Sequence, residues 1–119
     1  MTQSLYERLG GTEGITAIAD TLVENHLANP VVSARYAQSD KVAVKNGAAT
    51  FFIAGTGGPN VYKGKDMIAT HKGMNISGDE FMAVLDDAME ALDAHNVGQT
   101  EKDEVLCILY SMRKEIMKL

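Results

Sequence analysis

The apolar residues of this chain recur every three or four positions, which is the period of an amphipathic helix, and strand-like alternation is scarce. The first periodic segment follows Gly10 and Gly11, with Thr12 as a candidate N-cap. We expect it to end at Asn29, because a residue before proline is disfavoured in the helical conformation. Its apolar positions are Ile15, Ile18, Ala19, Leu22 and Val23. The next position of the same stripe is a histidine, His26.

Three further segments have the same period. Asp40 is placed to cap a helix that runs to about Ala54. Ser77 and Glu80 form an S-x-x-E capping box ahead of the next segment, and Thr100 with the acidic residues after it opens the last. Their apolar positions are Val44, Ala48, Phe51 and Phe52; Phe81, Val84, Leu85, Ala88 and Leu92; and Val105, Ile108, Leu109, Met112 and Ile116. The pattern therefore predicts an all-α fold with four substantial helices.

Composition narrows the class of protein. A chain of 119 residues with 45% apolar residues fits one globular domain, which we place at residues 1–119. The net charge of −5 argues against nucleic-acid or anionic-membrane partners. No apolar run is long enough for a membrane span, and the N-terminus lacks the features of a secretion signal. The single cysteine, Cys107, cannot form an internal disulfide, so we expect a cytoplasmic protein.

The interval "GTGGPNVYKGKDMIATHKGMNIS", residues 55–77, interrupts the helical pattern and contains one histidine, His71. Glycine allows sharp changes of backbone direction, which leaves room for a flat ligand beside which His71 would bind a metal. The simpler alternative is an ordinary surface histidine. Neither this interval nor "GGTEG" matches a phosphate-binding loop or a dinucleotide fingerprint. The histidines and Cys107 show no zinc-site spacing.

The chain resembles the truncated haemoglobins, and the first of their groups in particular. The resemblance is carried by "LYERLGG" at the start, by "FF" at Phe51 and Phe52, by "GGPNVYKGKDM", and by His71. It extends from Leu5 to Ile116, nearly the whole chain. It implies a two-over-two helical sandwich enclosing haem, in which the four predicted helices are the main ones.

By this resemblance, His71 is the proximal ligand of the haem iron. A C-x-x-C-H attachment motif is absent, so the expected cofactor is non-covalent haem b. The resemblance further implies a set of haem contacts at Tyr36, Val44, Ala48, Phe51, Phe52, Tyr62, Met67, Met74, Ile76, Phe81 and Leu85. Phe51 and Phe52 have plain core packing as an alternative. Lys63, Lys65 and Lys72 are candidates for the propionates or simply solvated lysines.

The sequence departs from this family on the distal side, where a tyrosine and a glutamine or histidine commonly bind the gas ligand. The corresponding positions are Val23, Val44, Gly47 and Ala48, and none of these side chains donates a hydrogen bond. Loss of a donor worth about 1.5–3 kcal/mol would speed oxygen release roughly ten- to a hundredfold.

His26 is a candidate for the missing hydrogen-bond donor in the distal pocket. The alternatives are that His26 is half exposed at the end of its helix, or that it binds the iron directly. Lys45 and Asn46 lie off the predicted inner face of the distal helix, and one of them would face the pocket only if the register of that helix were shifted. An entirely apolar pocket would suit carbon monoxide or nitric oxide better than tight oxygen storage.

Three functions compatible with haem follow. The first is reversible binding of oxygen, carbon monoxide or nitric oxide. The others are nitric oxide dioxygenation, which needs a separate reductase, and a redox or gas-sensing module that acts on a partner. A haem-free packing domain would require His71 to be incidental.

Overall fold

The computed structural model describes residues 3–64 and 67–117, except the side chains of Ile68 and Ala69. Its α-helices are α1 (Leu5–Arg8), α2 (Gly11–Ala28), α3 (Lys41–Gly55), α4 (Met67–His71), α5 (Gly78–Ala94), α6 (Gln99–Ser111) and α7 (Arg113–Ile116). A 3-10 helix spans Ser33–Tyr36. Within the described residues, strand-like pairing is limited to one bridge between Ile76 and Met117. The predicted all-α fold with four long helices is confirmed.

The predicted capping residues occupy the starts of two helices. The side chain of Asp40 accepts from the backbone N–H groups of Val42 and Ala43 at the start of α3. At α5, the N–H of Glu80 donates to Ser77 Oγ and the N–H of Ser77 donates to Glu80 Oε1, both at 3.1 Å. These bonds satisfy backbone donors that lack a partner within the helix.

Two predicted starts are wrong by one or two residues. Helix α2 begins at Gly11, because Gly10 (φ 101°) is its N-cap, and Thr12 lies inside the helix and shares a hydrogen bond with the Tyr6 hydroxyl. Helix α6 begins at Gln99, so Thr100 is likewise internal. The last predicted helix is also interrupted at Met112, which separates α6 from α7.

The core lies where α2 packs against α3 and α5, and α6 closes it. Its buried members are Leu5, Leu9, Ile15, Ile18, Leu22, Ile53, Ile76, Phe81, Leu85, Ala88, Ala91, Leu92, Val105 and Leu109. Each large apolar side chain removed from water stabilises the fold by about 1.5–3 kcal/mol. None of the helices in the described part is long and apolar enough to cross a membrane.

Glycines turn the chain away from α3 as the sequence predicts. Gly57 has φ 101°, in the left-handed region that side chains disfavour. Gly58 packs so closely that a Cβ there would lie 2.5 Å from a ring carbon of Tyr6. The N–H of Tyr6 donates to the carbonyl of Thr56 at 2.9 Å, which fixes this turn against α1. The chain then runs without a helix through residue 64 and returns as α4.

Candidate functional site

A cavity of about 730 Å³ opens between the early and late helices. Its lining from α2 and α3 consists of Leu22, His26, Ala43, Val44, Asn46, Gly47, Ala48, Thr50, Phe51 and Phe52. The opposite lining consists of Val61, Tyr62, Lys63, Gly64, Met67, Thr70, His71, Val84, Leu109, Met112 and Ile116. The volume is in the range of about 300–1,000 Å³ that accommodates a small molecule or cofactor. A second cavity of about 290 Å³ shares His71 and runs toward Tyr36 and Arg35.

His71 is held in one orientation by its own helix. Its Nδ1 lies 2.8 Å from the carbonyl oxygen of Met67, one turn earlier in α4. A carbonyl only accepts, so Nδ1 carries the proton and Nε2 keeps its lone pair. Histidines that bind metals usually have their second nitrogen tied in this way. His71 lines both cavities, so the arrangement suits a metal ligand.

The described residues contain no group of three or more His, Cys, Asp or Glu side chains that could hold a metal ion. A bare ion at His71 would therefore lack further ligands from that part of the chain. An iron that brings its own equatorial ligands needs only one or two axial donors from the protein. The donor set consequently fits haem better than a free ion.

Aromatic rings form one side of the larger cavity. The rings of Phe51 and Tyr62 meet edge to face, with centroids 5.4 Å apart, and those of Phe51 and Phe52 are 5.8 Å apart. Such pairs add about 0.5–1.5 kcal/mol to the burial of their apolar area. They leave a broad apolar surface suited to a flat ligand.

All of the predicted haem contacts line one of the two cavities. The larger one contains Val44, Ala48, Phe51, Phe52, Tyr62, Met67 and His71. The smaller one contains Tyr36, His71, Met74, Ile76, Phe81 and Leu85. Chain segments far apart in sequence are thus brought together around His71.

Of the predicted distal residues, His26, Val44, Gly47 and Ala48 line the larger cavity. Val23 does not: it is 1% exposed and lines neither of the two cavities. Leu22 and His26, four residues apart, share the helix face that turns to the cavity, and Val23 is about 100° away from Leu22 around the axis.

The charged candidates lie mostly outside the cavity. Lys63 is exposed at its lining and Lys72 is exposed elsewhere, while Lys65 lies outside the described residues. Lys45 pairs on the surface with Asp20 at 3.0 Å and Glu24 at 2.6 Å, whereas its neighbour Asn46 does line the cavity.

His26 is buried, not half exposed, and belongs to a polar cluster that the sequence did not reveal. Its Nδ1 lies 2.7 Å from Oδ2 of Asp87, and the two residues are 6% and 4% exposed. Asn29 Nδ2 donates to both Asp87 oxygens, at 3.1 and 3.2 Å. Asn25 donates to the Asp87 carbonyl, and the His26 ring stacks on Tyr36 with centroids 5.8 Å apart. The cluster fixes the His26 ring at the cavity wall.

One feature of the sequence indicates that Asp87 is unusual. It lies three residues after Val84 and four before Ala91, so an acidic side chain falls on a face of α5 that is otherwise apolar. A buried carboxylate needs hydrogen-bond partners, but the sequence does not show that they come from α2 and its C-cap.

Two further groups around the smaller cavity have shifted pKa values. Burial, together with the nearby Asp87 charge, raises the pKa of Tyr36, so its phenol stays neutral. Hydrogen bonds from Arg35, then from the Ser77 backbone, lower the pKa of Glu80 to about 2. Arg35 and Glu80 are ion-paired beside this cavity, which keeps Glu80 an anion there.

The chain was compared with protein families and with known sequences. The model of the bacterial-like globin family matches residues 4–118. The group 1 truncated haemoglobin of Tetrahymena pyriformis is 29% identical over 97% of this chain and 95% of that one. The group 1 truncated haemoglobin of Mycolicibacterium paratuberculosis is 28% identical over 95% of this chain and 83% of that one.

Solved structures show the same similarity in three dimensions. The crystal structure of the Tetrahymena pyriformis truncated haemoglobin in its Fe(III) form has a TM-score of 0.94 at 28% identity, covering 98% of this chain and all of that one (100%). A Synechococcus 2/2 haemoglobin, in the cyanomet state and with covalently attached haem, has a TM-score of 0.90 at 25% identity, covering 97% of this chain and 98% of that one. The resemblance seen in the sequence motifs is confirmed.

Proposed function

The chain belongs to the bacterial-like globin family, and on that basis we propose that it binds haem b non-covalently through His71 and carries diatomic gases on the iron. The observation that supports this most is the His71 ring, whose Nδ1 is tied to the Met67 carbonyl while its Nε2 is left with a lone pair at a large cavity. Haem, when bound, supplies an iron with a coordination position for oxygen, carbon monoxide or nitric oxide.

The remaining lining residues hold the porphyrin by apolar contact. Phe51, Phe52 and Tyr62 offer aromatic surface on one side, and Met67 and Met74 flank His71 in sequence and line the two cavities. Burying a porphyrin against these groups excludes water from the iron. In a drier site, each electrostatic contact to a bound ligand is stronger.

The residues of α3 that line the cavity favour reversible gas binding over a reaction of iron-bound oxygen. Val44, Gly47 and Ala48 line the cavity without a side-chain hydrogen-bond donor, whereas Asn46 on the same helix also lines it and carries an amide that can donate. Bound oxygen carries partial negative charge and gains from a donor, whereas carbon monoxide depends on one much less. Nitric oxide dioxygenation, which the family permits with a separate reductase, would lack that stabilisation from Val44, Gly47 and Ala48.

Haemin titration tests the proposal. The wild-type protein should develop a Soret band with a one-to-one end point, and His71→Ala should lose stable haem. His71→Gly should regain it on addition of imidazole. His95→Ala is the matched control, because His95 is exposed and its Nε2 bonds Thr21 at 2.8 Å. Equal haem retention in His71→Ala and wild type would overturn the assignment of His71.

The mode of attachment has its own measurement. The Synechococcus neighbour has covalently attached haem, so the attachment in this chain needs a direct test. This chain lacks a C-x-x-C-H motif, and we expect acid–butanone extraction to remove its haem. The intact mass should then equal that of the bare chain. A mass increased by one haem after extraction would contradict the non-covalent part of the proposal.

A further inference from the structure

The second histidine of the cavity, His26, has one ring nitrogen engaged and one free. Nδ1 is bound to Asp87, and Nε2 forms no hydrogen bond with any described residue. Among the described residues, no sealed side-chain nitrogen or oxygen lacks a partner. Nε2 must therefore adjoin open space. His26 lines the large cavity, which is the open space beside this residue, and we therefore place Nε2 at that cavity.

Asp87 determines which nitrogen carries the proton. Both of its oxygens already accept from Asn29, and an ionised carboxylate has only acceptors to offer. Placing the proton on Nε2 alone would set the Nδ1 lone pair 2.7 Å from a carboxylate oxygen, which is repulsive. In the neutral ring the proton is therefore on Nδ1.

We propose that the His26–Asp87 pair gives the distal cavity a hydrogen-bond acceptor, and that the site consequently selects small protic ligands. These are molecules that keep a hydrogen on or next to the atom bound to iron, such as hydrogen sulfide or hydrogen peroxide. Bound oxygen has no hydrogen to offer, and its partial negative charge is repelled by a lone pair. The inference rests on the haem site proposed above and adds a ligand class to it.

The protonation of His26 is read directly by NMR, without any variant. In the ¹⁵N-labelled ferrous carbon-monoxide form, which is diamagnetic, Nδ1 of His26 should show the shift of a protonated ring nitrogen and Nε2 that of an unprotonated one. A proton on Nε2, alone or together with one on Nδ1, would overturn the inference. A protein that shows no Soret band would instead contradict the haem proposal, so the two failures are distinguishable.

The stretching frequency of carbon monoxide bound to the iron reports whether the neighbouring protein groups present negative or positive charge to the ligand. A lone pair near the ligand raises this frequency, and a donor lowers it. His26→Phe keeps a ring to stack on Tyr36 and removes the nitrogen, so its band should lie below that of wild type. His95→Phe should leave the band in place. A band that rises or stays unchanged in His26→Phe would refute an accepting His26.

Two anionic ligands of ferric haem, which differ in whether they carry a hydrogen, test the selectivity itself. Hydrosulfide carries a hydrogen and fluoride does not. His26→Phe should raise the Kd of sulfide about two- to tenfold, the equivalent of one neutral hydrogen bond, and should not raise that of fluoride. If the single variant does not fold, His26→Leu with Asp87→Leu removes the carboxylate as well and serves in its place. Equal changes for both probes, or a low-spin ferric spectrum lost on removing His26, would overturn the proposal.

Discussion

The buried pair of His26 and Asp87 should be strongly coupled in stability. His26→Leu leaves a carboxylate that is 4% exposed with Asn29 as its remaining side-chain donor. Removing the donor of a hydrogen bond to a buried carboxylate costs about 1.5–3 kcal/mol. Asp87→Leu instead strands two donors, the His26 Nδ1–H and the Asn29 amide, and should cost about 2–4 kcal/mol.

The double variant should cost much less than the sum of the singles. With both side chains replaced by leucine, the buried charge and the ring donor are gone together, and only the Asn29 amide is left without its partner. Replacing a buried pair by apolar residues of similar volume is often neutral or stabilising. We therefore expect the double variant to cost about 1–3 kcal/mol, from the Asn29 amide that remains, and the coupling free energy between the two positions to be about 2–4 kcal/mol.

The assay is urea unfolding of the four proteins, followed by far-ultraviolet circular dichroism at one fixed haemin concentration. Fixing haemin matters because a ligand that binds the folded state adds to apparent stability. The surface pair of Lys45 and Asp20 is the control, and its coupling should stay under about 1 kcal/mol because Asp20 is largely exposed. Additive single effects at His26 and Asp87, within about 0.5 kcal/mol, would refute the reasoning.

Three further predictions concern other parts of the molecule. Because the pKa of Glu80 is lowered from 4.5 to about 2 beside Arg35, its contribution to stability is complete above pH 4.5 and is lost as the pH falls toward 2; the difference in unfolding free energy between wild type and Glu80→Gln should shrink over that range, and a constant difference would contradict this. Gly58→Ala should destabilise by about 1–3 kcal/mol in thermal unfolding, since its Cβ would lie 2.5 Å from a tyrosine ring carbon, whereas Gly55→Ala, with nothing within 4 Å, should not. Ala48→Gln adds a donor at the cavity lining and should slow oxygen dissociation roughly ten- to a hundredfold in stopped-flow measurements; an unchanged rate would show that position 48 does not reach the ligand.

Local features of the structure were accessible from the sequence. Asp40 and Ser77 act as caps within a few residues of their own helices, so their pattern is complete in a short window. The glycines at 57 and 58 end α3 through backbone properties that belong to glycine itself. His71 was identified mainly through the part of the motif that runs from Phe51 to His71, which lies within a short interval.

Features that depend on contacts between distant segments were not accessible. The burial of His26 depends on Asp87, 61 residues away in sequence. The position of Val23 depends on how α2 rotates about its axis when it packs, because neighbouring positions of the stripe face different partners. Periodicity defines an apolar face, but it does not determine which part of that face meets the core and which part meets a cavity.

Helix α4 is five residues long, which is little more than one turn. So short a helix has almost no stability of its own and depends on what it packs against, here mainly α7 and the strand-like pairing of Ile76 with Met117 nearby. Displacing it exposes far less apolar surface than unfolding the four long helices. For the haem site proposed at His71, we therefore expect the porphyrin to enter and leave through a local opening on this side, at a rate set by the C-terminal residues that keep this turn in place.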